Sequence, residues 1–155
     1  MSEKTGTFLV THAEAETATL RDVVDSQVIT LSENPGVEAG EVIEATVAAE
    51  PPMEVTYAVT DLTDRRTIPV ERVDLEPTAM AKDVAADQSV GEVTTRERAG
   101  EGEIHVLTVE DDGADAAADE IVDDEATVSR AARLGVDRVE IRTETGVVSV
   151  RYLPD

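Results

Sequence analysis

The sequence predicts a mainly β chain with an α+β second half: a small N-terminal β-barrel followed by a C-terminal β-β-α(α)-β-β unit. Three observations lead there. The first half breaks into short segments rich in Val, Ile and Thr, separated by turn residues. The second half contains a helical stretch ending at Gly135 between strand-like pairs. The last segment alternates cleanly around Glu144-Thr145-Gly146, as a hairpin does.

The first half supplies "TGTFLVTH", "TATLRDVV", "SQVITLS", "GEVIEATVAA", "MEVTYAVTDL" and "RTIPVERVDL". In "EVIEATVAA", Val42, Glu44 and Thr46 fall on one face and Ile43, Ala45 and Val47 on the other, which suits a strand with one buried side. Asn34-Pro35-Gly36 is a strong turn signal. Several short strands at this spacing close most economically into a barrel, which leaves no exposed edge. The barrel is expected over residues 1–75. Residues 76–91, "EPTAMAKDVAADQSVG", lose periodicity and read as a linker.

The α+β unit is expected over 92–155. "EVTTRERA" and "EIHVLTV" read as two strands flanking Ala99-Gly100-Glu101-Gly102. "DGADAAADEIVDDEATVSRAARLG" reads as helix with a break near Asp123-Asp124 and a C-cap at Gly135. In the closing hairpin, Val139, Ile141, Val148 and Val150 would face helices that cover one side of the sheet.

Thirty-five acids against thirteen bases give a net charge of −22 and a pI near 4.2. Such self-repulsion opposes compaction and is relieved by salt, because the screening length falls to ~3 Å at 1 M. Only Lys4 and Lys82 are lysines, and the acids are spread along the chain instead of gathered in a tail. That pattern favours a salt-filled, halophilic cytoplasm over an acidic interaction protein of a low-salt cell. Val, Ile, Leu and Phe still make up 38 of 155 residues, above the rough 20% level below which high charge goes with disorder.

The absence of cysteine excludes disulfides, thiolate metal sites and Cys nucleophiles. No apolar run approaches the ~18 residues of a membrane span. "MSEKTGTFLV" lacks a basic region followed by a long apolar stretch, so no signal peptide is expected and the expected location is cytoplasmic.

At "TGTFLVTH", "TLSENPGVEAGEV", "EPPMEV", "RERAGEGEIHVLTV", "DDEATVSRAARLGV" and "GVVSVRYLP" the chain resembles a family of small acidic haloarchaeal proteins with no assigned function. The resemblance covers nearly the whole chain and implies no catalytic residues. "LSENPGVEAGEVIEATVAAEP" resembles the stretch of S1-type OB-fold domains where a loop leads into a strand, which implies that the barrel is OB-like.

Candidate chemistry is sparse. "TTRERAGEGEIHVLTV" gathers arginines, glycines and His105, yet a phosphate loop needs a helix after its glycines. Here a strand follows, and Glu101 and Glu103 would repel an anion, so a hairpin turn is the expectation. His105 lies on the face opposite Ile104 and Val106 and reads as a strand residue. Glu110-Asp111-Asp112-Gly113-Ala114-Asp115 lacks calcium-loop spacing, and two histidines are too few for a transition-metal site. Thus no catalytic residue, resident metal or cofactor is expected, only non-specific hydrated cations.

Arginines, by contrast, cluster. Arg96 and Arg98 share one strand; Arg138, Glu140 and Arg142 share the outer face of a hairpin strand, and Ser149 and Arg151 that of the next. Either these residues pair with the abundant carboxylates, or Arg96, Arg98, Arg138, Arg142 and Arg151 form a face that binds a protein or RNA partner. A non-catalytic binding module is therefore the expected function. The alternative is a small hydrolase or transferase with a site between the two halves that uses His12 or His105.

Overall fold

A computed structural model describes residues 3–97 and 102–154. Five strands close into a barrel: β1 (Glu3–Ala13), β2 (Ala18–Asp22), β3 (Val28–Leu31), β4 (Val42–Ala49) and β5 (Tyr57–Arg66). Their order around the barrel is β1-β2-β3-β5-β4, with β4 returning to β1. All pairings are antiparallel except β3 with β5, which run parallel and meet at Leu31 and Tyr57.

Alternation explains the interior. Ile43, Ala45 and Val47 of β4 point inward with Phe8, Val10, Leu20, Ile29 and Leu31, while Glu44 is exposed. Irregular register in β1 after Val10 and in β4 at Glu44/Ala45 and Thr46/Val47 adds the bending that closure requires. The Asn34-Pro35-Gly36 turn forms as its residues demand: Asn34 Oδ1 accepts from the backbone N–H groups of Gly36 and Val37, both at 2.8 Å, and Gly36 takes φ +107°.

Buried Asp22 fixes the β2–β3 turn. Its carboxylate accepts from the Val24 N–H at 2.7 Å and pairs with Lys4 at 3.0 Å. Lys4 also meets Asp25 at 2.7 Å. Partial desolvation opposes the Lys4 charge, but these two carboxylates win and hold its pKa above the ordinary value.

The chain divides into two compact units, Met1–Ile68 with Val128–Arg133, and Pro69–Thr127 with Leu134–Asp155. The second is built on a five-stranded sheet of order β6-β9-β10-β8-β7: β6 (Val70–Arg72), β7 (Val93–Glu97), β8 (Glu103–Thr108), β9 (Arg138–Glu144) and β10 (Val147–Leu153). β6 joins this sheet by pairing in parallel with β9, so residues 70–72 of the expected barrel stretch belong to the other sheet.

Among the described residues there are three helices: α1 (Ala79–Ala86), α2 (Ala114–Asp123) and α3 (Glu125–Leu134). α1 lies within the stretch read as a linker. Thr78 caps it, accepting from the Ala81 N–H at 3.2 Å, and its buried residues are Ala81 and Ala85. The α2–α3 break falls at Asp124, whose carboxylate accepts from the Ala126 N–H at 2.9 Å to start α3. Gly135 ends α3 with φ +75°. No helix among the described residues is long and apolar enough to cross a membrane.

The helices do not all cover one face of the second sheet. α2 packs on β6, β9 and β10, where Val139, Ile141, Val148, Val150 and Tyr152 are buried. Arg72 of β6 donates to Asp115 at 2.7 Å and Asp119 at 3.0 Å of this helix. α1 covers the opposite face: Ala81 and Ala85 pack on Ile104 and Val106, with Val84 and Val147 beside them. An apolar stripe made chiefly of alanines carries too little hydrophobic signal to announce this packing.

Candidate functional site

Register places the arginines. β9 and β10 pair with Val147 opposite Glu144, so Arg142 lies opposite Ser149, Glu140 opposite Arg151 and Arg138 opposite Leu153, all on one face. β8 continues this face with Val106 beside Ser149 and Ile104 beside Arg151. β7 extends it with Thr94 and Arg96. Arg96 therefore does share the face of the closing hairpin, two strands from Arg151. Arg98 and the expected turn at Ala99, Gly100 and Glu101 lie outside the described residues; the strands they join are antiparallel, with Glu97 opposite Glu103.

Glu140 organises the cluster. It is 7% exposed, and Arg142 Nε donates to its Oε1 at 2.6 Å, while Arg138 donates to Oε2 at 3.1 Å. Arg151 Nε stands 3.6 Å from Oε1. Burial pushes the Glu140 carboxyl up, but the Arg142 and Arg138 hydrogen bonds outweigh it and hold the pKa below the ordinary carboxylate value. The Ser149 hydroxyl is fully buried beside this group and has no hydrogen-bond partner among the described residues.

The face is less open than alternation alone suggests. Arg142 and Arg151 side chains are 18% and 14% exposed, against 43% for Arg138. Arg142 also donates to the Glu76 carbonyl at 3.4 Å, just before α1. Lys82 of α1 bridges Glu76 at 2.6 Å and Glu144 at 3.3 Å. Arg138 and exposed Arg96 are thus the groups that solvent meets.

Between α1 and β7 runs a cleft of about 360 Å³ lined by Met80, Val84, Asp83, Asp87 and Arg96. Gln88 closes its inner end, donating to the carbonyls of Val106 at 2.9 Å and Glu92 at 3.1 Å. The Thr94 hydroxyl donates to the Gln88 side-chain oxygen.

Other arginines meet varied partners: Arg72 holds two carboxylates of α2, and Arg133 donates to the Val23 carbonyl at 2.9 Å. Arg65 forms a two-pronged contact with Glu41 at 2.9 and 2.7 Å and pulls that carboxyl below its usual range. His12 is exposed on the barrel and 3.2 Å from Glu14. His105 lies on the face opposite Ile104 and Val106, 3.0 Å from Glu103 and with its ring 4.9 Å from that of Tyr152. Each histidine therefore has as its acid the carboxylate two residues away in the chain.

Glu140 is the residue that pattern reading undervalued. Its signal was present: one acid alternating between two arginines within the chain's least acidic segment. Ser149 gave no such sign, because a serine on an alternating strand says nothing about who covers it.

Residues 4–143 match a family described as a family of unknown function, DUF5812. Comparison with curated proteins gives no match, and comparison with solved structures gives none.

Proposed function

The chain belongs to the DUF5812 family, and we propose that it is a non-catalytic binding module of a haloarchaeal cytoplasm whose arginine-bearing sheet face docks an acidic protein segment. The observation that carries this reading is the convergence of Arg138, Arg142 and Arg151 on the single carboxylate of Glu140, with Arg96 on the same face. Glu140 orients the three guanidinium groups. Arg138 and Arg96 then present donors to a partner's carboxylates.

Direct guanidinium–carboxylate contact suits molar salt. At a screening length of ~3 Å long-range attraction vanishes, while a two-pronged hydrogen-bonded contact keeps most of its geometry. An OB-like identity for the barrel is supported by the strand order β1-β2-β3-β5-β4 with β3 parallel to β5. Protein is favoured over RNA because single-strand readers stack bases on exposed rings. Phe8 and Tyr152 are buried, and Tyr57 packs against the barrel core.

The test is recovery of partners at molar salt with the wild type and an Arg96→Glu, Arg138→Glu variant, read by mass spectrometry and by absorbance at 260 against 280 nm. A protein recovered by the wild type and lost by the variant supports the reading. Unchanged recovery removes the arginine face from it, and co-purified RNA replaces the protein partner.

A further inference from the structure

We propose that the outer edge of β7 pairs antiparallel with β7 of a second copy of this chain, around a two-fold axis through Thr95, to make one continuous ten-stranded sheet.

The backbone sets which groups are available. The Thr108 N–H donates to the Glu92 carbonyl at 3.2 Å, so Glu92 turns its carbonyl toward β8. In an antiparallel ladder this role alternates, and Thr94 and Arg96 follow Glu92 in facing β8. Val93, Thr95 and Glu97 direct their N–H and C=O groups the other way. β7 is last in its sheet, and among the described residues nothing pairs with that side.

The edge is also lightly guarded: its two charges, Arg96 and Glu97, are of opposite sign. Monomeric sheets guard their edges with lysine, proline, bulges or very short strands. β7 has five residues in unbroken register with β8, no lysine and no proline. Val93 at its start is 55% exposed. The opposite edge, β6, is only three residues long and follows Pro69, and its Arg72 is held by α2. The barrel is closed, with β3 and β5 joined at Leu31 and Tyr57.

Self-pairing fits residue by residue. The register that engages all three outward residues of both copies sets Thr95 opposite Thr95, Val93 opposite Glu97 and Thr94 opposite Arg96. No like charges meet, and a Thr–Thr pair on the axis is a favourable cross-strand contact. Shifting the register to set Glu97 opposite Glu97 would oppose two carboxylates and engage fewer residues. The axis stands perpendicular to the sheet, so the arginine faces of both copies lie on the same side. This inference does not depend on what those faces bind.

Light-scattering molar mass tests it, at molar salt so that the net charge of −22 is screened. The full chain is expected at twice 16.5 kDa. Thr95→Pro removes two outward N–H donors across the axis without touching the β8 ladder, and should weaken the dimer roughly thirtyfold or more. Thr95→Lys sets two ammonium groups against each other and should also yield monomer, which covers the case in which the proline variant does not fold. A wild type that stays monomeric at all accessible concentrations overturns the proposal, as does a folded Thr95→Pro or Thr95→Lys variant that remains dimeric. Monomeric wild type that captures an added extended peptide at this edge would assign the edge to another occupant and equally overturn it. The Arg96→Glu, Arg138→Glu variant keeps Thr95, so loss of partner without loss of dimer separates the two readings.

Discussion

The barrel and the open sheet solve the same problem with different materials. The barrel closes on itself around Phe8, Val10, Leu20, Ile29, Leu31, Ile43 and Val47, so its inner positions are apolar and most of them large. The sheet has two edges, and the helix on its arginine face contributes alanines. What the alanines do not fill is occupied by Glu140 and its arginines. One region is held by shape and hydrophobic area, and the other leans on charges that need their partners in place.

Removing the heart of the barrel should have the largest effect. Phe8 is fully buried, and Phe8→Ala is expected to cost about 3–5 kcal/mol in transfer and cavity terms. Urea unfolding reads this as a lower midpoint; a loss near 1 kcal/mol would mean that the barrel repacks freely and is not the rigid half.

Glu140→Gln comes next. It strands the arginines that converge on this carboxylate and should cost about 2–3 kcal/mol, less than a fully buried pair because Arg138 is 43% exposed. The sign with pH follows from the depressed pKa. Glu140 contributes its full stabilisation above the ordinary value of 4.5, and loses it as pH falls below 4.5 through the folded-state value. Urea midpoints of wild type and variant should therefore draw closer as pH falls from 4.5 toward 3. Parallel curves would show that the carboxylate's charge is irrelevant.

The smallest and most graded effect is that of salt. By sequence the second unit holds 22 acids against 7 bases, and the barrel unit 13 against 6. As the screening length grows from ~3 Å at 1 M to ~30 Å at 0.01 M, repulsion should loosen the second unit first. Amide exchange in β8, β9 and β10 is expected to rise at salt concentrations where β1 and β4 remain protected. Simultaneous loss in both, or no salt dependence, would dissolve the contrast between them.

The elements that could be read from sequence are those whose signal is local. Thr145-Gly146 between two alternating runs fixed the hairpin from Arg138 to Leu153, Asn34 and Gly36 fixed their turn, and Asp124 marked the break between α2 and α3. What escaped depends on distant partners. Nothing near Val70 announces a parallel neighbour at Val139, some seventy residues on. α1 escaped although Thr78 offers a cap, because Ala81 and Ala85 are apolar in too small a way to mark a face. At the candidate site, alternation put Arg138, Glu140 and Arg142 on one side correctly. It could not tell that α1 would settle over that side and leave Arg142 mostly covered.

The closure of the barrel has one more consequence. β3 and β5 meet at a single residue pair, Leu31 with Tyr57, joined by the Ser32 N–H donating to the Tyr57 carbonyl at 3.1 Å. Every other pairing in the barrel runs over four residues or more. The ring of strands is therefore zipped along most of its girth and merely buttoned at this point. Thermal breathing of the barrel is expected to begin there, with amide exchange rising at Ser32 before it rises at Phe8.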